Sequence, residues 1–199
     1  MEKDNCKTLS NKSSIELKIQ RSRFIANAFP VSTPEESIEA LNSVRKEYFD
    51  ARHHPFAFVL FKKDNYRYND DGEPSGSSGK PIYDSIIKHD LKNVLVVVTR
   101  YFGGIKLGVG GLKRAYFEAA DECLMNGAIK EIILKSQTHV KFNYGYISAV
   151  MKYLDTKRIH ISENNSSDTV NLVCDVRLSD AETFKVDITE LTNGTAEIF

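Results

Sequence analysis

The sequence predicts an α+β protein of two domains, and three patterns carry that expectation. Val94–Thr99 is an unbroken apolar, β-branched run, as expected of a strand buried on both faces. Leu112, Tyr116, Ala119, Ala120, Cys123 and Leu124 then recur at helical spacing. Beyond Ala128 a second unit follows in the order β-α-β-β-α-β, which fits a ferredoxin-like domain.

In chain order, residues 1–14 are polar and are expected to form a flexible N-terminus. Ser13–Gln20 alternates, with Ile15, Leu17 and Ile19 on one side, and Phe24–Val31 follows as its hairpin partner. Thr33-Pro34-Glu35-Glu36 is a helix start: an N-cap, proline at the first position, then acids at the positive end of the dipole. That helix should reach about Phe49 with Ile38, Leu41, Val44 and Tyr48 inward. His54–Lys62 reads as a strand that Pro55 must begin or leave at an edge. Tyr66 and Tyr68 suggest another short one. Lys80-Pro81 opens a helix to about Asp90, with Ile82, Ile86 and Ile87 inward. Gly127 is the expected helix stop before the second unit. There, Glu131–Tyr144 reads as a strand, Gly145–Lys157 as a helix with Ile147, Val150, Met151 and Leu154, and 158–163 and 169–178 as strands joined by a polar turn. Asp180–Thr192 is a helix and Thr195–Phe199 a last strand. The expected domains are 15–128 and 129–199.

Charge narrows the partners little. Lys+Arg and Asp+Glu number 27 each in 199 residues, so no global field recruits nucleic acid or a membrane. The two domains differ slightly: 19 basic against 17 acidic residues through Ala128, and 8 against 10 after it. Cys6, Cys123 and Cys174 are widely spaced and odd in number, which fits a reducing compartment and shows no metal-ligand spacing. No apolar run approaches the roughly 20 residues of a membrane span, and the polar start has no signal-peptide core. The chain reads as cytoplasmic.

The chemistry concentrates between the Val94–Thr99 strand and the helix after it. Gly103–Gly111 holds five glycines in nine residues. Lys92–Phe117 contains Lys92, Arg100, Lys106, Lys113 and Arg114 and no acid. Free N–H groups at a helix start favour an anion, whereas glycines alone also serve close packing. The loop is no standard nucleotide motif: Lys113 stands at the third glycine of G-x-G-x-x-G, and Gly79-Lys80 is followed by Pro81. Asp70, Asp71 and Glu73 could serve as acid and base or bind a hard cation, but Asp-Gly and Glu-Pro favour a structural turn. Adjacent His53 and His54 point to opposite faces of a strand and suit a structural or partner-contact role better than a shared metal. Ser75, Ser77 and Ser78 lack the nucleophile-elbow context. Lys80, at a helix start, calls for a nearby anion.

Asp70-Asp71-Gly72-Glu73-Pro74-Ser75-Gly76, Gly79-Lys80-Pro81-Ile82, Thr99–Gly108, Gly110-Gly111-Leu112 and Arg114-Ala115-Tyr116 resemble, in order, the blocks of the Impact/YigZ family. Ser22–Ala26 and Asp50–His54 resemble it too. The sequence departs from the family pattern at Pro55, Ser78, Val109 and Lys113, where cysteine, alanine, threonine and valine are common. The resemblance implies, for 15–128, the βαβ-containing fold of the second domain of a small-subunit ribosomal protein, and for 129–199 the ferredoxin-like fold of the last domain of elongation factor G. It implies a bacterial two-domain member and a non-enzymatic binding or regulatory protein linked to translation, since the eukaryotic members resemble regulators of the stress-responsive translational control kinase. The implied partners are RNA, the ribosome or a translation-related protein, with no membrane. The candidate binding surface is Arg23, His54, Lys80, Arg100, Gly103, Gly104, Lys106, Gly108, Gly110, Gly111 and Arg114, with Tyr101 and Phe102 as candidate base-stacking rings. No cofactor or metal is expected, and no catalytic set is assigned. The competing reading is an enzyme acting on a phosphorylated small molecule at the same loop, with Asp70, Asp71 or Glu73 as acid/base and His54 assisting.

Overall fold

The computed structural model describes residues 4–61 and 65–199; expectations for Met1–Lys3 and for the end of the strand at Lys62 lie outside them. The chain divides into two compact units, Cys6–Ile132 and Ile133–Phe199, the latter including Asp4 and Asn5.

The first unit is built on a five-stranded antiparallel sheet. Its elements are β1 (Asn5–Leu9), β2 (Ser13–Ile19), β3 (Ser22–Pro30), α1 (Pro34–Glu47), β4 (Phe56–Val59), β5 (Tyr66–Asn69), α2 (Gly79–Lys88), β6 (Val94–Tyr101) and α3 (Gly108–Met125). The strand order is β2-β3-β6-β4-β5. Both β3 and β4 run antiparallel to β6, so β3-α1-β4 is a βαβ unit split by the central strand. Alternation along β6 sorts its side chains. Val94, Val96 and Val98 join the core with α2 and α3, while Leu95 and Val97 join the core under α1. The β2–β3 hairpin turns through Gln20 and Arg21, both at positive φ, as a two-residue type I′ turn requires.

Three helix readings are refined. The Thr33 side chain accepts from the Glu36 amide, the N-cap bond that Thr-Pro-Glu-Glu predicts. Leu41 and Val44 are buried, but Ile38 is exposed and Ser37 takes the inward place. Ile87 is likewise exposed while Ile82 and Ile86 are buried. Every apolar position expected of α3 is buried, Cys123 included.

Two local expectations are corrected. Asn5–Leu9, expected to be flexible, is a strand paired with β7 (Ile129–Ile133), and Leu9 is fully buried. One buried leucine and a Ser10 amide bonded to the Ala128 carbonyl tie down a segment whose composition looks loose. Gly127 is not a left-handed helix cap. A Cβ there would lie 2.6 Å from Leu9 Cδ2, so the glycine makes room for that leucine.

The second unit comprises β8 (Lys135–Phe142), α4 (Ile147–Thr156), β9 (His160–Asn164), β10 (Val170–Arg177), α5 (Ala181–Leu191) and β11 (Glu197–Ile198). The strand expected over 131–144 is thus two strands, β7 and β8, separated at Leu134. The antiparallel order β11-β8-β10-β9 is the ferredoxin-like arrangement. Val140, Phe142, Val150, Leu154, Leu172 and Phe184 lie in its core. Met151 is exposed and Ile147 only packs against the core's edge. Among the described residues, no helix is long and apolar enough to cross a membrane.

Candidate functional site

The segment Asp70–Gly79 is a folded knot rather than an open acidic loop. Asp70 accepts from the amides of Gly76, Ser78 and Gly79 at 2.7–2.9 Å and from the Ser78 hydroxyl at 2.8 Å. Its carboxylate sits against the first amides of α2, where the helix dipole favours negative charge. Partial burial opposes the charge, but the amides of Gly76 and Gly79 and the Ser78 donors outweigh it and hold Asp70 below the usual carboxylate range. A depressed folded pKa contributes stability above the unfolded value, near ~3.9, that is lost as pH falls through the folded one. Asp70→Asn is therefore expected to flatten the acid limb of a stability profile measured by urea denaturation from pH 5 downward. An unchanged limb would contradict this role.

The other two acids are engaged as well. Asp71 pairs with Arg45 at 2.8 Å and accepts from the His54 amide at 2.7 Å. Glu73 is buried, and its Oε1 accepts from Arg100 Nη1 and from the Tyr116 hydroxyl, each at 2.7 Å. Burial, then the Glu73 charge and hydrogen bond, push the Tyr116 phenol well above its ordinary value. Arg100 points to the α2–α3 side of β6 because it shares the parity of Val96 and Val98. Its guanidinium lies 5.6 Å from the Phe24 ring and 5.5 Å from that of Phe102. The Glu73 carboxylate thus fastens the Asp70–Gly79 knot to the central strand by an ion pair and to α3 by a hydrogen bond.

The histidines complete the knot. The His53 ring contacts the Asp71 carbonyl at 2.8 Å, and His54 Nε2 contacts the Tyr48 carbonyl at 3.2 Å. Burial lowers the His54 pKa despite that bond and the Asp71 charge. Tyr101, on the opposite face from Arg100, donates to Asp50 at 2.6 Å, a bond that pushes its pKa up to about 12. Arg23 stacks over it at 5.2 Å and is held by Glu16 through two hydrogen bonds.

Beyond Tyr101 the chain leaves the sheet. Gly103 packs against the β2–β3 turn and donates its N–H to Ser22 Oγ at 3.2 Å. Ile105, Lys106, Gly108, Val109 and Gly110 are exposed, and α3 begins at Gly108 with no side chain capping its first amides. Gly104 and Gly108 adopt positive φ. Gly110 does not, and a Cβ there would meet open space. Lys106, Lys113 and Arg114 are exposed and form no ion pair among the described residues. Lys80 has the anion its position called for: Asp84, one turn later in α2.

The eleven expected residues therefore divide. Gly103, Gly104, Lys106, Gly108, Gly110, Gly111 and Arg114 are gathered at the start of α3. Arg100 and His54 are inside the fold, holding the knot. Arg23 and Lys80 are exposed but already paired. Sequence reasoning missed the Glu73–Arg100–Tyr116 network. The available signal was an arginine at the end of a strand of valines, which needs a buried acid.

The Impact N-terminal domain model matches residues 20–124. YvyE of Bacillus subtilis, an IMPACT family member, is 36% identical over 184 residues, covering 92% of this chain and 85% of the relative. An IMPACT family member of Haemophilus influenzae is 30% identical over 184 residues, covering 90% and 88%. A solved structure described as that of a hypothetical protein superposes with a TM-score of 0.73 at 24% identity, covering 98% of this chain and 96% of that one, a likeness of fold. By the domain model that matches more than half of it and by these relatives, the chain belongs to the IMPACT family.

Proposed function

We propose that this chain is a non-catalytic, translation-linked binding protein that takes an anionic partner, RNA or the ribosome, at the start of α3. The observation that carries the reading is the exposed trio Lys106, Lys113 and Arg114, unpaired among the described residues, around uncapped helix amides. Gly110 supports it. Neither its φ nor its neighbours require glycine in this first turn of α3. A bare backbone there suits close approach of a ligand. The link to translation rests on the family's eukaryotic regulators and on the fold relationship to translation factors that the resemblance implies. Acid–base catalysis has less support, because Asp70, Asp71 and Glu73 each accept hydrogen bonds within the knot.

The test is sedimentation of the purified chain with ribosomes and retention of RNA, comparing wild type with Lys106→Glu/Arg114→Glu. The variant is expected to bind at least about tenfold more weakly with an unchanged unfolding midpoint, since both side chains are exposed. Equal binding would overturn the reading.

A further inference from the structure

An open groove of about 470 Å³ lies on the first unit, lined by Pro81 and Asp84 of α2 and by Lys113, Arg114, Phe117 and Glu118 of α3. Asp84 links it to an aromatic cluster. It accepts from Lys80, whose ammonium lies 5.1 Å from the centre of the Tyr83 ring. Tyr66 and Tyr68 flank Tyr83 with ring centres at 5.1 and 5.7 Å. They alternate along β5, so both face the α2 side, yet they remain 49% and 41% exposed. β5 is an edge strand, and α2 covers the pair only in part, through Tyr83.

We infer that this face binds a single-stranded polynucleotide, with phosphates at Lys113 and Arg114 and bases stacked on Tyr66 and Tyr68. The inference rests on the anionic-partner reading above and names the ligand class. Cations alone would suit any polyanion. Adjacent half-exposed phenol rings add a surface for flat π-faces, which a single strand offers and a duplex keeps stacked inside. Lys80 pairs with Asp84, one of the two acids of the groove, and so offsets part of the repulsion a phosphate would meet beside Lys113 and Arg114. Tyr101 is the poorer platform, because Asp50 and Arg23 already occupy its hydroxyl and one face.

The experiment is fluorescence anisotropy of the full chain with a labelled 12-nucleotide RNA, its DNA equivalent, an abasic oligomer of equal charge, the duplex, and a poly-glutamate peptide. The RNA or DNA single strand is expected to bind at least about tenfold more tightly than the abasic oligomer, the duplex or the peptide, given stacking of ~1–3 kcal/mol per base. The ratio of RNA to DNA affinity identifies the preferred sugar. Tyr66→Ala/Tyr68→Ala should reduce single-strand affinity to the abasic level and leave abasic binding unchanged, while Tyr66→Phe/Tyr68→Phe keeps the advantage. Abasic, duplex or peptide binding equal to that of the single strand would overturn the inference while the anionic-partner reading stands. No binding of any polyanion at low salt would overturn both.

Discussion

Glu73→Ala is expected to destabilise the first unit by about 3–5 kcal/mol, the cost of breaking a buried ion pair by removing one partner. Glu73 Oε1 serves two donors at once, Arg100 Nη1 and the Tyr116 hydroxyl. Its removal strands a guanidinium whose side chain is only 9% exposed and whose Nε already lacks a hydrogen-bond partner. It also loosens the knot, because the Glu73 carboxylate ties it to Arg100 of β6 and to Tyr116 of α3. The triple variant Glu73→Leu/Arg100→Met/Tyr116→Phe removes donors and acceptor together and should lose less than the single substitution. Urea denaturation of the full chain measures both. A loss below 1 kcal/mol for Glu73→Ala would show that the pair is solvated rather than holding the fold.

Gly103→Ala should be nearly as harmful for a different reason. A Cβ at this position would lie 2.1 Å from the carbonyl carbon and oxygen of Arg21 and 2.5 Å from the Ser22 amide nitrogen. These are backbone atoms of a turn with two residues at positive φ, so they cannot rotate away. Forcing the strands apart costs about 1–3 kcal/mol or more. It also displaces the segment that carries Lys106, so binding should fall with stability. Gly110→Ala is the contrast: its Cβ meets open space, so stability should be kept while ligand approach is blocked. Equal unfolding midpoints for Gly103→Ala and wild type, measured by urea, would refute the close packing.

These two positions also show what the sequence displayed and what it concealed. The α3 face was legible because six apolar positions repeat at 3.6-residue spacing, and all six are buried. β6 was legible because both of its faces are buried, which leaves no polar alternation to misread. Thr33-Pro34 was legible because a cap is a local event. Ile38, Ile87 and Met151 were misplaced because a helix has more apolar residues than its buried stripe can hold. The strand at Asn5–Leu9 was hidden because its partner lies some 120 positions away. The glycine segment was recognised, but its division into a packing half and an exposed half depends on where the β2–β3 turn falls. The acids of Asp70–Glu73 lie in the turn that Asp-Gly and Glu-Pro predict. That one of them meets Arg100 and Tyr116 required three elements to converge, which no spacing encodes.

The measurement that tests the central claim most directly is the salt dependence of RNA binding by the wild-type chain. Three cations unpaired among the described residues, Lys106, Lys113 and Arg114, predict a slope of log affinity against log salt of about −2 for a single strand, at roughly −0.7 per neutralised phosphate. Neutralising any one of them should reduce the slope by about a third. Affinity independent of salt, or no binding at low salt, would contradict an anionic partner at the start of α3.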